Sequence, residues 1–67
     1  MATIKQIQYF HTVAETQSIR AAADRLNIAQ PTLSTQLHAL EKSLGVTLFE
    51  RTRRLTQLTP AGRQLLP

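Results

Sequence analysis

The sequence contains no cysteine, and only three of its 67 residues are aromatic. Without cysteine the chain can form neither a disulfide framework nor a thiolate metal site. Its two histidines and four carboxylates are too few to suggest a metal site of other ligands, so we expect no metal and no cofactor. No long apolar run follows Met1, which argues against a signal peptide or a membrane span and favours a cytoplasmic protein.

Acidic residues are also scarce, and the resulting positive charge is uneven. Through residue 43 four basic residues stand against three acidic ones, whereas from residue 44 onward four stand against one. A basic segment is typical of a protein that binds a polyanion such as nucleic acid, but it also occurs as a solvated surface hairpin. With 67 residues there is room for one domain with a small core, and the 42% apolar content is typical of a folded chain.

The first part of the chain predicts two helices. Thr3 and Gln6 have the spacing of a capping box at the start of a helix. The apolar residues that follow fall on one helical face: Ile4, Ile7, Phe10, Val13 and Ala14. Ser18 is a suitable N-cap for a second helix, IRAAADRL, whose alanines allow another helix to pass close by. Asn27 tolerates the left-handed conformation that ends a helix.

A third helix is predicted over residues 31–44, because Pro31 suits the first position of a helix and Gly45 suits the position after its end. Its leucines lie on one face: Leu33, Leu37, Leu40 and Leu44. Its other faces carry hydroxyl, amide and imidazole groups. The second and third helices, joined by residues 27–30, predict a helix-turn-helix, which presents the start of its second helix to the DNA major groove. Hydroxyls and amides can read the donors, acceptors and methyl groups of that groove.

After the third helix the pattern changes from helical to extended. VTLFE and LTQLT are short, β-branched and partly alternating, and the basic RTRR lies between them, which predicts a two-stranded ribbon. Thr59 and Pro60 then have the character of an N-cap followed by a proline at the first helical position, so a fourth helix is expected to begin there. The predicted fold is mainly α: three helices, a two-stranded β wing and the start of a fourth helix.

The segment AAADRLNIAQPTLSTQLHALEKSLGVTLFERTRRLTQLTPAG strongly resembles the N-terminal DNA-binding domain of LysR-type transcriptional regulators. AQPTLS matches the start of the family's recognition helix, LEKSLGVTLFER leads into its wing, and LTPAG starts its long linker helix. The resemblance implies a winged helix-turn-helix domain over residues 1–58 and the start of a linker helix over residues 59–67. It also implies sequence-specific binding of double-stranded promoter DNA by a bacterial regulator, with the recognition helix 31–44 in the major groove and the basic wing 51–54 in the minor groove.

Family members normally dimerise through the linker helix and continue into a periplasmic-binding-protein-like effector domain. The resemblance therefore implies that the parent protein is a homodimer. These 67 residues have no counterpart of the effector domain, so a small-molecule effector is expected to act only through that absent C-terminal domain.

The resemblance also assigns roles to individual side chains. Those expected to contact bases are Gln30, Pro31, Thr32, Ser34, Thr35 and Arg54. Gln30 can bond adenine, Pro31 can press on a thymine methyl, and Arg54 matches the wing arginine that enters the minor groove. For the three hydroxyl residues, helix capping or plain solvation is the alternative.

A second group of residues is expected to contact the phosphate backbone of DNA. Its members are Ser18, Arg20, Gln36, His38, Arg51 and Arg53. Ser18 can instead serve only as the cap of its helix. Arg51 can instead pair with Glu50 or Glu41.

Two positions depart from the family pattern. The family often has arginine where this chain has Thr35, and a threonine cannot bind a guanine in bidentate fashion, so a different base preference is expected. The family commonly has lysine or arginine where this chain has His38, which supplies less positive charge to phosphate binding.

Two other classes of function have weaker support. Ser34 and His38 share a helical face, as a nucleophile and its base would, but no acidic residue is placed to orient His38, so an enzyme is not expected. A helical protein–protein interaction module is the alternative. It requires an exposed apolar stripe, and none is expected once the leucines are assigned to the core. RNA binding lacks the stacking aromatic side chains.

Overall fold

The computed structural model describes residues 2–51 and 56–66, with only the backbone described for Arg51. The described part contains α1 (Ile4–Thr16), α2 (Ile19–Leu26), α3 (Gln30–Leu44), β1 (Phe49–Arg51), β2 (Thr56–Leu58) and α4 (Pro60–Leu65). The two strands are antiparallel, with Phe49 opposite Leu58 and Arg51 opposite Thr56. The predicted class, mainly α with a two-stranded wing, is confirmed.

Local sequence signals decide where the helices begin. The Thr3 hydroxyl accepts a hydrogen bond from the Gln6 N–H, and the Gln6 side chain accepts one from the Thr3 N–H, so the predicted capping box is present. The Ser18 hydroxyl caps α2 by accepting from the Ala21 N–H at 3.1 Å. α3 begins at Gln30, one residue before the predicted start, and the proline lies in its first turn.

The first three helices each end at a residue in the left-handed conformation. These residues are Gln17 (φ 55°), Asn27 (φ 59°) and Gly45 (φ 72°). The last two agree with prediction. The conformation of Gln17 was not predicted, because positive φ is uncommon for residues other than glycine, asparagine and aspartate.

The core joins the three helices to the segment that enters β1. Its buried apolar residues are Phe10, Val13, Ala22, Ala23, Leu33, Leu37, Leu40 and Leu48. The small side chains of α2 allow the neighbouring helices to approach closely, and the ring of Phe49 packs on Phe10 with centroids 5.3 Å apart. One core prediction is wrong, because Leu44 is 41% exposed. It lies one turn beyond Leu40, at the end of α3, where the chain turns away.

α4 is fixed to the segment that precedes β1. The sequence pattern VTLFE, residues 46–50, predicts a strand from its first residue, but β1 begins only at Phe49. The Thr59 hydroxyl donates to the Thr47 carbonyl at 2.5 Å, and the Thr59 N–H donates to the Leu48 carbonyl at 3.0 Å. The same hydroxyl accepts from the Gly62 N–H at 3.0 Å and so caps the helix. The predicted start of the fourth helix is therefore confirmed.

Candidate nucleic-acid interface

α3 has one buried apolar face and one exposed polar face. Leu33, Leu37 and Leu40 are each no more than 4% exposed and hold the helix against the body of the domain. The exposed residues of its first three turns are Gln30, Pro31, Thr32, Thr35, His38 and Ala39. Four of the six side chains predicted to contact bases lie on this surface, all within the first two turns.

Two of the predicted DNA contacts lie at the margins of the exposed face and also have contacts within the protein. Gln36 is half-buried beside α1, and its side-chain oxygen accepts a hydrogen bond from Gln6 Nε2 at 3.1 Å. Ser34 is half-buried as well and already has an interaction partner. The bond of Gln36 thus joins α3 to α1, and both side chains lie at the edge of the polar surface of α3.

The start of α2 carries two residues predicted to contact phosphate. Ser18 is half-buried, and its hydroxyl is engaged as the cap of α2, as the capping interpretation expected. A hydroxyl that accepts one bond still has its own proton to donate. Arg20 is exposed. The ion pair seen in the described part of the chain joins Arg25 to Glu15 at 3.9 Å and does not involve Arg20.

The base of the wing is attached to the helices at both strands. The Glu41 carboxylate accepts from the N–H groups of Leu48 at 2.7 Å and Phe49 at 3.3 Å. The Thr56 N–H, at the start of β2, donates to the Gln17 carbonyl at 3.0 Å. Both strands of the wing are therefore attached to the helices.

The basic tip of the wing is only partly within the described residues. Arg51 contributes its backbone to β1, whereas Arg53 and Arg54 lie outside the described residues. The roles predicted for these three side chains stay predictions.

The recognition helix, the start of α2 and the wing border one small cleft. The cleft has a volume of about 50 Å³, and its lining residues are Ile19, Ser34, Leu37, His38, Glu41, Phe49 and Thr56. Glu41 thus lies on the same side of α3 as Ser34 and His38. Its carboxylate is bonded to backbone N–H groups of β1 and its approach, which gives it a structural role.

An exposed apolar surface is present on α1, so the expectation that no such surface remains was wrong. Ile4 is 80% exposed, and it borders a groove of about 340 Å³ together with Ala2, Ile7 and His11. The apolar spacing of α1 predicts that Ile4 lies on the buried face of the helix. Ile4 is the first residue of α1, however, and its burial requires contacts from other segments of the fold.

Neither a membrane-spanning helix nor a metal-binding cluster is found within residues 2–51 and 56–66. No helix there is both long and apolar enough to cross a bilayer. No cluster of three or more metal-binding side chains occurs among the same residues.

Comparison with known protein families decides which class of protein carries this polar helix and wing. A family model described as "Bacterial regulatory helix-turn-helix protein, lysR family" matches residues 4–63. The chain belongs to the lysR family. The match includes α1, α2, α3, the wing and most of α4, which agrees with the resemblance seen in the sequence.

Individual lysR-family relatives and solved structures support the same assignment. The HTH-type transcriptional regulator TfdS of Cupriavidus pinatubonensis is 53% identical over 62 residues, which are 92% of this chain and 21% of TfdS. The oxidised form of Corynebacterium glutamicum OxyR superposes with a TM-score of 0.96 at 48% identity, over 100% of this chain and 22% of that one. The CbnR DBD–DNA complex gives a TM-score of 0.92 at 45% identity, over 96% of this chain and 74% of that one. The chain spans about a fifth of the length of the curated relatives it matches.

Two contacts around the recognition helix were missed by sequence reasoning. Gln6 was expected only to cap α1, and no local spacing relates it to Gln36, thirty residues later. One feature of the sequence could have indicated the bonds of Glu41 to the segment at β1. An acidic residue in the last turn of a helix is unfavourable beside the helix dipole, so its presence indicates that another group stabilises it.

Proposed function

We propose that this chain is the DNA-binding domain of a bacterial lysR-family transcriptional regulator, and that it binds specific sequences in double-stranded promoter DNA. α3 enters the major groove, and residues 51–54 of the wing enter the minor groove. The main support is the exposed polar face at the start of α3, which lies where a helix-turn-helix meets the major groove. The likeness to the CbnR DBD–DNA complex adds to it.

In this proposal the first turns of α3 read base edges. Gln30 bonds adenine through its amide, and Pro31 packs on a thymine methyl. The hydroxyls of Thr32, Ser34 and Thr35 bond base edges or the adjacent phosphates. Because a threonine reaches less far than an arginine, Thr35 favours a base other than the guanine that arginine binds best.

Basic and polar side chains around α3 hold the DNA backbone. The proposed phosphate contacts are Ser18, Arg20, Gln36, His38, Arg51 and Arg53. Ser18 donates its hydroxyl proton to phosphate while its oxygen keeps the capping bond of α2. Arg54 enters the minor groove, where a narrow A·T tract concentrates negative potential.

The activity of the whole protein is proposed by the same reasoning. Residues 1–58 form the DNA-reading domain, and residues 59–67 begin a linker helix through which two copies of the parent protein pair. A small-molecule effector binds a separate domain, and the regulator acts in the cytoplasm without a cofactor or catalytic activity of this domain.

An NMR titration of the isotope-labelled chain with an A·T-rich duplex tests the proposal. Amide shifts are expected in residues 30–38, in the first turn of α2 and in residues 51–54. They should diminish between low and physiological salt, because phosphate contacts release counterions. Repeating the titration with duplexes changed at single base pairs should reveal discrimination of about 1–3 kcal/mol at contacted positions.

The controls separate DNA reading from other binding. A Gln30→Ala variant should lose discrimination at one base pair and keep it at the others. Single strands of the same sequence should shift the same residues more weakly. Shifts confined to the exposed apolar surface near Ile4 and Ile7, or no shifts with any duplex, would refute the proposal.

A further inference from the structure

Gln6 joins the start of α1 to the recognition helix through a buried amide. The residue is only 8% exposed. Its Oε1 accepts from the Thr3 backbone N–H at 3.1 Å, and its Nε2 donates to Oε1 of Gln36 at 3.1 Å. Burying an amide costs free energy unless its oxygen and its nitrogen both form hydrogen bonds. The orientation of the Gln6 amide, which forms both, is therefore well determined.

These two bonds fix the orientation of both amides. The Thr3 N–H can only donate, so Gln6 turns its oxygen toward it and its nitrogen toward α3. That nitrogen can only donate, so Gln36 turns its oxygen toward Gln6. The Gln36 nitrogen is thereby directed away from α1, at the margin of the exposed face of α3. Gln36 lies one helical turn after Thr32, which is exposed on that face.

We propose that Gln6 is a positioning residue for DNA binding: it orients Gln36 so that the amide nitrogen, and not the oxygen, meets a DNA phosphate. Phosphate oxygens only accept hydrogen bonds, so they attract the nitrogen and repel the oxygen. Holding Gln36 in this orientation before DNA arrives also reduces the side-chain freedom lost on binding. The inference rests on the proposed DNA binding and adds a residue that does not itself touch DNA.

The substitution Gln6→Glu tests the inference because it reverses the Gln36 amide. A carboxylate still accepts from the Thr3 N–H, and glutamate in the first turn keeps the capping box, so these contributions should offset much of the cost of burying its charge and retain most of the thermal stability. Its other oxygen can only accept, so Gln36 must turn its nitrogen inward and its oxygen toward the DNA. Fluorescence anisotropy with an A·T-rich duplex should show about tenfold weaker binding, as expected for a lost hydrogen bond to a charged group.

A matched control removes the contribution of the added negative charge. Gln8→Glu adds the same charge at an exposed position of the same helix, and it should weaken binding much less. Both substitutions are then repeated in a Gln36→Ala background, where the excess loss caused by Gln6→Glu should vanish. In NMR spectra the side-chain NH₂ signals of Gln36 should shift on DNA addition in the wild type and stay in place in Gln6→Glu.

Gln6→Met provides a second comparison, because it removes both bonds and leaves Gln36 free to turn either way. DNA affinity should then fall in the order wild type, Gln6→Met, Gln6→Glu, whereas thermal stability should be lowest for Gln6→Met. The same order in both measurements would overturn the inference, and so would equal losses from Gln6→Glu and Gln8→Glu. A wild type that binds no duplex would refute the proposed function, and this inference with it.

Discussion

The two glycines of the chain are required for different physical reasons. Gly45 ends α3 with φ +72°, and a Cβ added there would meet no atom within 4 Å. Gly62 lies in α4, and a Cβ added there would overlap the Leu48 carbonyl oxygen and come within 2.9 Å of a Leu58 methyl carbon. The first position therefore depends on backbone conformation, whereas the second depends on space.

Gly62→Ala is expected to lower the free energy of unfolding by about 1–2 kcal/mol, because an overpacking cost at the upper end of about 1–3 kcal/mol outweighs the advantage of about 1 kcal/mol that alanine has as a helix former. The obstructing atom belongs to the backbone, and the Leu48 carbonyl also accepts the bond from the Thr59 N–H that anchors α4. It cannot move away without weakening that anchor. Urea denaturation measures the change, and a variant more stable than the wild type would show that α4 is not seated so closely.

Gly45 offers the matched comparison. Gly45→Ala should cost about 1–2 kcal/mol, the penalty for the left-handed conformation, although there is ample room for the methyl group. Gly45→Asn should cost less, because Asn27 adopts the same conformation at the end of α2. For Gly62 the smaller of any two substituents should be the better tolerated, regardless of its preference for positive φ.

Among the elements, the wing depends most on contacts distant in sequence. β1 is attached to α3 by the Glu41 carboxylate, and β2 is attached to the end of α1 by the bond from the Thr56 N–H to the Gln17 carbonyl. A two-stranded ribbon is only marginally stable by itself. Its strands of three residues each therefore rely on these attachments to hold the wing beside the recognition helix.

Glu41→Ala should destabilise the domain by about 1–3 kcal/mol, because it leaves the N–H groups of Leu48 and Phe49 without their acceptor. Hydrogen exchange should accelerate at these two amides before it does so in the middle of α1. The control is Glu50→Ala, which removes the same charge from an exposed position on β1 and should change stability by less than about 0.5 kcal/mol. Equal losses from the two variants would mean that charge, and not the bonds to β1, sets the effect.

The sequence predicted those features that depend on residues a few positions apart. The capping box of Thr3, the cap at Ser18 and the left-handed Asn27 are all local, and all were confirmed. The strand bounds and the exposure of Leu44 were not predicted correctly, because they depend on which distant segment packs nearby. The surface of α3 could be anticipated from its leucine spacing, whereas the bond of Gln36 to α1 depends on how two helices cross.

At the scale of the whole molecule, the chain carries a net charge of +4. The ion pair in the described residues, Arg25 with Glu15, is 3.9 Å long between side chains about 60% exposed, and such pairs contribute little to stability. Among the described residues, Lys5, Arg20, Lys42 and Arg63 form no ion pair and remain available to a polyanion. DNA affinity should accordingly fall with salt, with a slope of about −0.9 in log K against log salt concentration for each phosphate neutralised.

The two exposed histidines allow the effect of charge at the proposed interface on DNA binding to be distinguished from the effect of the net charge of the molecule. His38 lies on α3 at the cleft shared with the wing, whereas His11 lies on α1 at the apolar groove. His38→Lys should strengthen duplex binding and steepen the salt slope by up to about 0.9, since it places a full positive charge at that proposed phosphate contact. His11→Lys makes the same chemical change outside the proposed interface and should raise affinity slightly, through long-range attraction alone. Anisotropy titrations at several salt concentrations distinguish the two, and equal slopes for both variants would remove His38 from the phosphate-binding set.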